Sequence, residues 1–297
     1  MLLRRVEAEN RRRAATDRRM GYAWMIVPIL PPLVIIALVA AIVGLVVSSL
    51  PNLQQIGTAA SGVTSGFAGA VAAIIVVYVF AVFAFYVVLL LGAFAFYYLI
   101  DRRNRHFRRQ QLLFSAIPAY LLEKGASNTH EQIVRLAEFS EDSTFEEVDR
   151  PAGLWAIASL FAAPIVEFIV AYNLTQDLRK HEERQMAFQQ TLPLAFEEAG
   201  FARPSLPSSR SHSRDALLYV VLSAITAGIF WIYWFYTLLR DYNEHFNDQA
   251  VFEDQVLATL KPITTCVSCH GSIPQGVKFC PLCGAAQAGS QETLTHA

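Results

Sequence analysis

The chain has 297 residues, 54% hydrophobic and only 16% charged, with a formal net charge of −1. Ordinary soluble domains carry roughly 25% charged residues, so a plain soluble domain is excluded, and the net charge points to no polyanionic partner. No Asp, Glu, Lys or Arg falls between Arg19 and Asp101; a soluble helix needs a polar face, so lipid is the expected solvent of this stretch.

Residues 1–21 form a basic N-terminus with Arg4, Arg5, Arg11, Arg12, Arg13, Arg18 and Arg19. These mark the cytoplasmic side. Arg11, Arg12, Arg13, Arg18 and Arg19 are also candidates for contact with anionic lipid headgroups, at about 1 kcal/mol each. Residues 22–50 are long enough to cross a bilayer, which takes about 20 apolar residues. They exceed the roughly 7–15 residues of a signal-peptide core and read as a retained anchor. Residues 51–65, PNLQQIGTAASGVTS, are polar and uncharged and read as a loop. Residues 66–100 form the second span, a helix that projects beyond the membrane. Its Gly66, Gly69, Ala70 and Ala73 lie at the small-residue spacing of close helix contact.

Residues 101–152 open with DRRNRHFRR and read as a cytoplasmic helical segment, with short helices over 119–150. Asn128 with Glu131 and Ser143 with Glu146 have capping-box spacing. The third span is 153–174, where Pro164 weakens the helix and Glu167 is a candidate intramembrane polar site. Within 192–215, the run ARPSLPSSRSHSRD reads as a linker. The fourth span is 216–239. A helix extension, 240–262, places Val251, Phe252, Val256, Leu257 and Leu260 on one face before Pro262 ends it.

Four spans put both termini in the cytoplasm and 173–215 outside. Of the 24 basic residues, 18 then lie inside and 6 outside: Arg179, Lys180, Arg184, Arg203, Arg210 and Arg214. A re-entrant third segment would move that loop inside and the C-terminus outside. Free thiols near the end of the chain suit a reducing compartment and favour the four-span arrangement.

The chain also repeats itself. FYYLIDRRNRHFRRQ (Phe96–Gln110) and FYTLLRDYNEHFNDQ (Phe235–Gln249) agree at seven of fifteen positions. A weaker echo, YNLTQDLRKHEERQ (Tyr172–Gln185), shares Tyr, Leu, Asp, His and Gln with the last copy. In the four-span arrangement that echo faces the other compartment. His106 and His245 occupy matching places in the strong copies. They read as a metal-binding pair or, more simply, as interfacial histidines bonded locally.

All four cysteines lie in CVSCHGSIPQGVKFCPLCG, as two C-x-x-C pairs: Cys266 with Cys269 and Cys280 with Cys283. Thiolates in that pattern suit a tetrahedral zinc ion. The apolar residues between the pairs are too few for a core, so metal must supply folding energy. Iron in a rubredoxin-like site and two disulfides are the alternatives. The stretch resembles the zinc-ribbon family, which implies one structural Zn2+ over 263–286 and little about function. Residues 287–297 read as a disordered tail. From Thr264 onward Lys278 is the lone Lys or Arg, so no nucleic-acid partner is expected. In the fourth span, Thr226, Gly228, Ile229, Phe230, Tyr233, Trp234 and Phe235 resemble a motif of small membrane proteins of unknown function. That resemblance implies a membrane domain often joined to zinc ribbons.

The sequence therefore predicts an all-α polytopic membrane protein of about four transmembrane helices. Long helices extend into the cytoplasm, and a small C-terminal zinc ribbon follows. The expected role is interaction or assembly, with the bilayer and other membrane proteins, or further copies of itself, as partners. A transporter or channel component using Glu167 near Pro164 is the alternative. No phosphate loop, nucleophile elbow or zinc-protease motif occurs, so no enzymatic activity is expected.

Overall fold

The computed structural model describes residues 2–55, 63–125, 130–207, 211–261, 263–274 and 279–287. Helices α1 (Leu2–Thr16), α2 (Ile26–Gln55), α3 (Val63–Lys124), α4 (Glu131–Glu146), α5 (Ala152–Glu198), α6 (Ala216–Ile225) and α7 (Ile229–Leu260) precede two short strands, β1 (Ile263–Thr265) and β2 (Ser272–Pro274). Among the described residues, three helical stretches are long and apolar enough to cross a membrane: Tyr22–Ser48, Val71–Lys124 and Ala152–Glu198. Apolar side chains such as Ile36, Val76, Phe80 and Phe83 stand exposed on the first two, as lipid-facing residues must. Helix α3 runs on through Pro118 to Lys124. At 62 residues it is about 93 Å long, far more than the roughly 30 Å of a hydrocarbon core.

The third apolar segment does not cross as one rod. Its backbone leaves the helix at Ala162 (φ −140°, ψ 45°). The cause is Pro164, which lacks an N–H and whose ring clashes with the preceding turn, while the residue before it avoids the helical region. A straight helix would hold residues 155 and 177 about 33 Å apart. Instead Trp155 and Asp177 line one cavity of about 360 Å³, so the chain enters the apolar layer over 152–161 and returns over 163–174. Phe161, beside the bend, is 86% exposed.

The expected fourth span, 216–239, is likewise two helices. Ala227 (φ 50°) and Gly228 (φ 89°) are both left-handed. Ring centroids of Tyr219 and Trp234 lie 5.7 Å apart across the fold, and Arg214 is ion-paired with Asp241. Helix α6, at 10 residues, reaches about 15 Å, half the depth of a bilayer. The turn meets its own backbone needs: Gly228 N–H donates to Ser223 O at 2.8 Å, and Phe230 N–H donates to Thr226 Oγ1 at 2.9 Å. Polar backbone in lipid requires such internal partners.

These two hairpins overturn the expected placement of 173–215 on the far side. Phe107 stacks on His181 and Phe114 on Phe188, each at 4.0 Å. Phe114 also meets Phe252, with ring centroids 6.3 Å apart. The lower halves of α3, α5 and α7 therefore descend side by side and parallel. Three ascending segments fill the grooves between them. Helix α1 lies between α3 and α7, where Arg109 binds Asp17 at 2.8 Å and Arg13 binds Asp254 at 3.0 Å. Helix α4 lies between α3 and α5: Gln111 Nε2 donates to Ser143 O at 3.0 Å, and Glu198 accepts from the Gln132 amide at 2.9 Å. The strap of residues 211–215, part of the expected linker, lies between α5 and α7, where His212 meets Glu182 and Glu244 at 2.8 and 3.1 Å.

The result is a pseudo-three-fold bundle in which α1, α4, residues 211–215 and the lower halves of α3, α5 and α7 lie on one side of the apolar layer. Ser143 is buried in the body of α4 rather than starting a helix. Asn128 and the loop residues 56–62 lie outside the described residues, as does the tail from 288 onward.

Candidate metal centres

The descending helices bury a polar layer between two apolar cores. Phe96, Leu99, Val170, Leu174, Phe235 and Leu239 pack above it. Leu113, Ile117, Phe188, Leu192, Phe252 and Val256 pack below. At the top of the layer the repeated Asn residues do matching work. Asn243 accepts from Met20 N–H at 3.1 Å and donates to Met20 O at 2.8 Å. Asn104 accepts from Arg150 N–H at 3.1 Å and donates to Arg150 O at 2.7 Å. Each clamps the backbone where an ascending segment turns toward the apolar layer.

Two residues further along the helices, the repeated histidines meet. His106, His181 and His245 are 0%, 2% and 5% exposed, and one ring nitrogen of each lies within 4.8 Å of the others. His106 Nε2 and His245 Nε2 are 3.2 Å apart. Every Nδ1 faces a carboxylate: Asp17 at 3.1 Å from His106, Glu147 at 2.8 Å from His181 and Glu182 at 3.4 Å from His245. Burial pushes His106 down to about 3 and His245 below its ordinary value, so both rings are neutral near pH 7. Burial alone would raise Glu147, but His181 and Arg184 hold its carboxyl down to about 2. Below the histidines, His181 Nε2 lies 2.9 Å from Gln110 Oε1, and Gln185 donates to Gln249. The repeated His and Gln thus form two successive rungs across three helices. The pair His106 and His245 is visible in the strong repeat; His181, carried by the weak echo, completes the cluster.

The cysteines form the second candidate centre. Cys266 Sγ lies 3.7 Å from Cys283 Sγ, and Cys269 Sγ lies 3.8 Å from Cys280 Sγ. A disulfide needs about 2.05 Å, whereas a tetrahedral ion with bonds of about 2.3 Å sets sulfurs about 3.8 Å apart. The four thiols are free and lie close enough to hold one metal ion. The two turns match. His270 N–H donates to Cys266 O and Gly284 N–H to Cys280 O, at 3.1 and 2.8 Å. His270 and Gly284 both take positive φ, 54° and 73°. Amides of Ser268 and Cys269 point at Cys266 Sγ at 3.4 and 3.5 Å. Hydrogen bonds from the Cys269 and Ser268 amides lower that thiol to about 6, toward the thiolate a metal requires. Strands β1 and β2 pair antiparallel beside the first turn.

Residues 214–269 match a domain of unknown function, DUF4234. The match begins at the end of the strap, takes in the α6–α7 hairpin with its Thr226–Phe235 motif, passes through His245 and stops at the first cysteine pair. The geometry explains the motif: Thr226 caps α7, and Gly228 supplies the left-handed turn. No curated protein and no solved structure matches the chain.

The remaining candidates fall in several places. Glu167 sits in the returning arm of the first hairpin with its carboxyl against Gly92 of α3, where an added Cβ would come within 2.8 Å of Oε1. Arg18 and Arg19 are exposed at the edge of the apolar layer, and Arg11 and Arg12 are exposed lower down α1. Arg13 is turned inward, donating to Ala250 O at 2.9 Å and to Asp254 at 3.0 Å, which takes it away from headgroups.

Proposed function

We propose that the protein is a membrane-anchored assembly factor. Its polar bundle and a zinc-held C-terminal ribbon face the cytoplasm, and the ribbon contacts other proteins. The observation that carries this reading is the ribbon's surface. Val267, Phe279 and Leu282 are 62%, 66% and 67% exposed on a fold too small to have a core of its own. Apolar side chains held outward on a rigid metal clasp suit contact with a protein groove. A four-thiolate zinc has no open position for a substrate, which favours a structural role over catalysis.

Charge supports the orientation. No Lys or Arg occurs in 20–101, 151–178 or 215–239. Arg179, Lys180, Arg184, Arg203 and Arg214, which four spans would strand outside, belong to segments packed with the other basic residues. Lys and Arg favour the cytoplasmic face. Two full spans with two half-depth hairpins thus satisfy the charge rule and keep the cysteines in a reducing compartment.

A photo-crosslinking residue placed at Val267 or Leu282 of the full-length protein in native membranes tests the contact. Discrete protein adducts that vanish on chelation are expected. Adducts to lipid alone, or none, would overturn the reading.

A further inference from the structure

We propose that His106, His181 and His245 form a second metal centre, binding one divalent first-row transition ion through their three Nε2 atoms. Each of the three descending helices donates one ligand. A carboxylate stands beside each Nδ1, hydrogen-bonded at His181 and within 3.1 and 3.4 Å at His106 and His245, the side on which orienting partners stand behind metal-bound imidazoles. With the proton on Nδ1, each Nε2 is free to take the ion, and one ring nitrogen of each histidine lies within 4.8 Å of the others.

Two such nitrogens 3.2 Å apart share either one proton or one cation. A tetrahedral ion with metal–nitrogen bonds of about 2.05 Å sets its ligands about 3.3 Å apart, close to the observed spacing. Gln110 Oε1, 2.9 Å from His181 Nε2, is placed to serve as a fourth donor. The donor set of imidazoles with one amide oxygen suits zinc, copper, nickel or iron rather than magnesium or calcium. The four-cysteine clasp lies beyond the end of α7 and shares none of these residues.

The bound ion fastens the three parallel helices at the level where the bundle meets the apolar layer. There α3, α5 and α7 each leave their membrane segment. The ion would set the relative height of the two hairpins and the long span.

The test uses full-length protein in mild detergent with Cys266, Cys269, Cys280 and Cys283 all changed to Ser, stripped of metal and titrated with Co2+. One equivalent should bind. It should show the visible d–d absorption of nitrogen-ligated cobalt without thiolate charge transfer, and it should raise the thermal midpoint. His106→Gln and His181→Gln should abolish both effects. Glu147→Gln, which keeps volume and an acceptor, should weaken binding about 10–100-fold. A cysteine-free chain that retains wild-type helicity and binds no cobalt would overturn the proposal. So would binding that persists in the histidine variants, because the cluster would then be held by hydrogen bonds alone. If the cysteine-free chain loses its helicity, wild-type protein saturated with zinc decides: two equivalents per chain support the centre, and one refutes it.

Discussion

Changing Arg109 to Met would remove a buried cation from the polar layer. Arg109 is 2% exposed and donates to Glu253 at 2.7 and 2.8 Å and to Asp17 at 2.8 Å. Asp17 keeps His106 as a neighbour, but Glu253 is left with only Gln249, at 2.8 Å, and Arg13, at 3.9 Å. Breaking a buried ion pair in this way costs about 3–5 kcal/mol. The loss is capped, because Glu253 can escape by taking a proton. From an ordinary Glu value near 4.3, that escape costs about 4 kcal/mol at pH 7 and about 1 kcal/mol at pH 5. Burial already raises Glu253, so the cap acts on the group nearest to protonation. Thermal unfolding in mild detergent, followed by far-ultraviolet circular dichroism, should show the variant roughly 10 °C below wild type at pH 7 and about 3 °C below at pH 5. Arg109→Met combined with Glu253→Gln should recover most of the pH 7 loss. A difference under about 2 °C at pH 7, or an equal loss at both pH values, would refute the view that an ionised, stranded carboxylate is the source.

Gly228→Ala meets no atom within 4 Å, so its cost is conformational alone, about 1–2 kcal/mol for a left-handed residue; Thr226→Val should cost about 1 kcal/mol through the lost cap. Both are read as shifts in thermal midpoint. Hydrogen bonding to Glu182 raises His212 to about 9. Its contribution is fully present below the unfolded value near 6.5 and is lost as pH rises through about 9. Stability should therefore fall between pH 7 and 9.5, and His212→Gln should flatten that part of the profile. Single cysteines at Ser205 and Glu138 in a cysteine-free chain should react with a membrane-impermeant thiol reagent from the same side. Opposite sidedness would restore four spans.

The apolar segments, the weak point of the third segment at Pro164 and both cysteine pairs were legible in the sequence. So were the strong repeat and its two histidines. The side of the membrane occupied by 173–215 was not. Hydropathy measures how apolar a stretch is and not whether it turns back at half depth, and 22 residues at 153–174 and 24 at 216–239 suffice for either shape. Counting both as full spans sent Tyr172–Gln185 to the far side, and that separated His181 from its two counterparts. The surplus of basic residues on the supposed outer loop was the available signal. The partners of Asn104, Asn243, Glu147 and Glu182 lie far away along the chain, so local pattern does not reveal them. The roles of the Asn and Gln positions in the repeat emerge only when the three copies stand side by side.

Helix α1 packs against α7, and Arg13 grips Asp254 across 241 positions of chain. During synthesis the first helix must therefore wait, its groove incomplete, until almost the whole polypeptide has left the ribosome. Assembly of this ring is a closing step, and a chain cut short before α7 would expose at its beginning the damage done at its end.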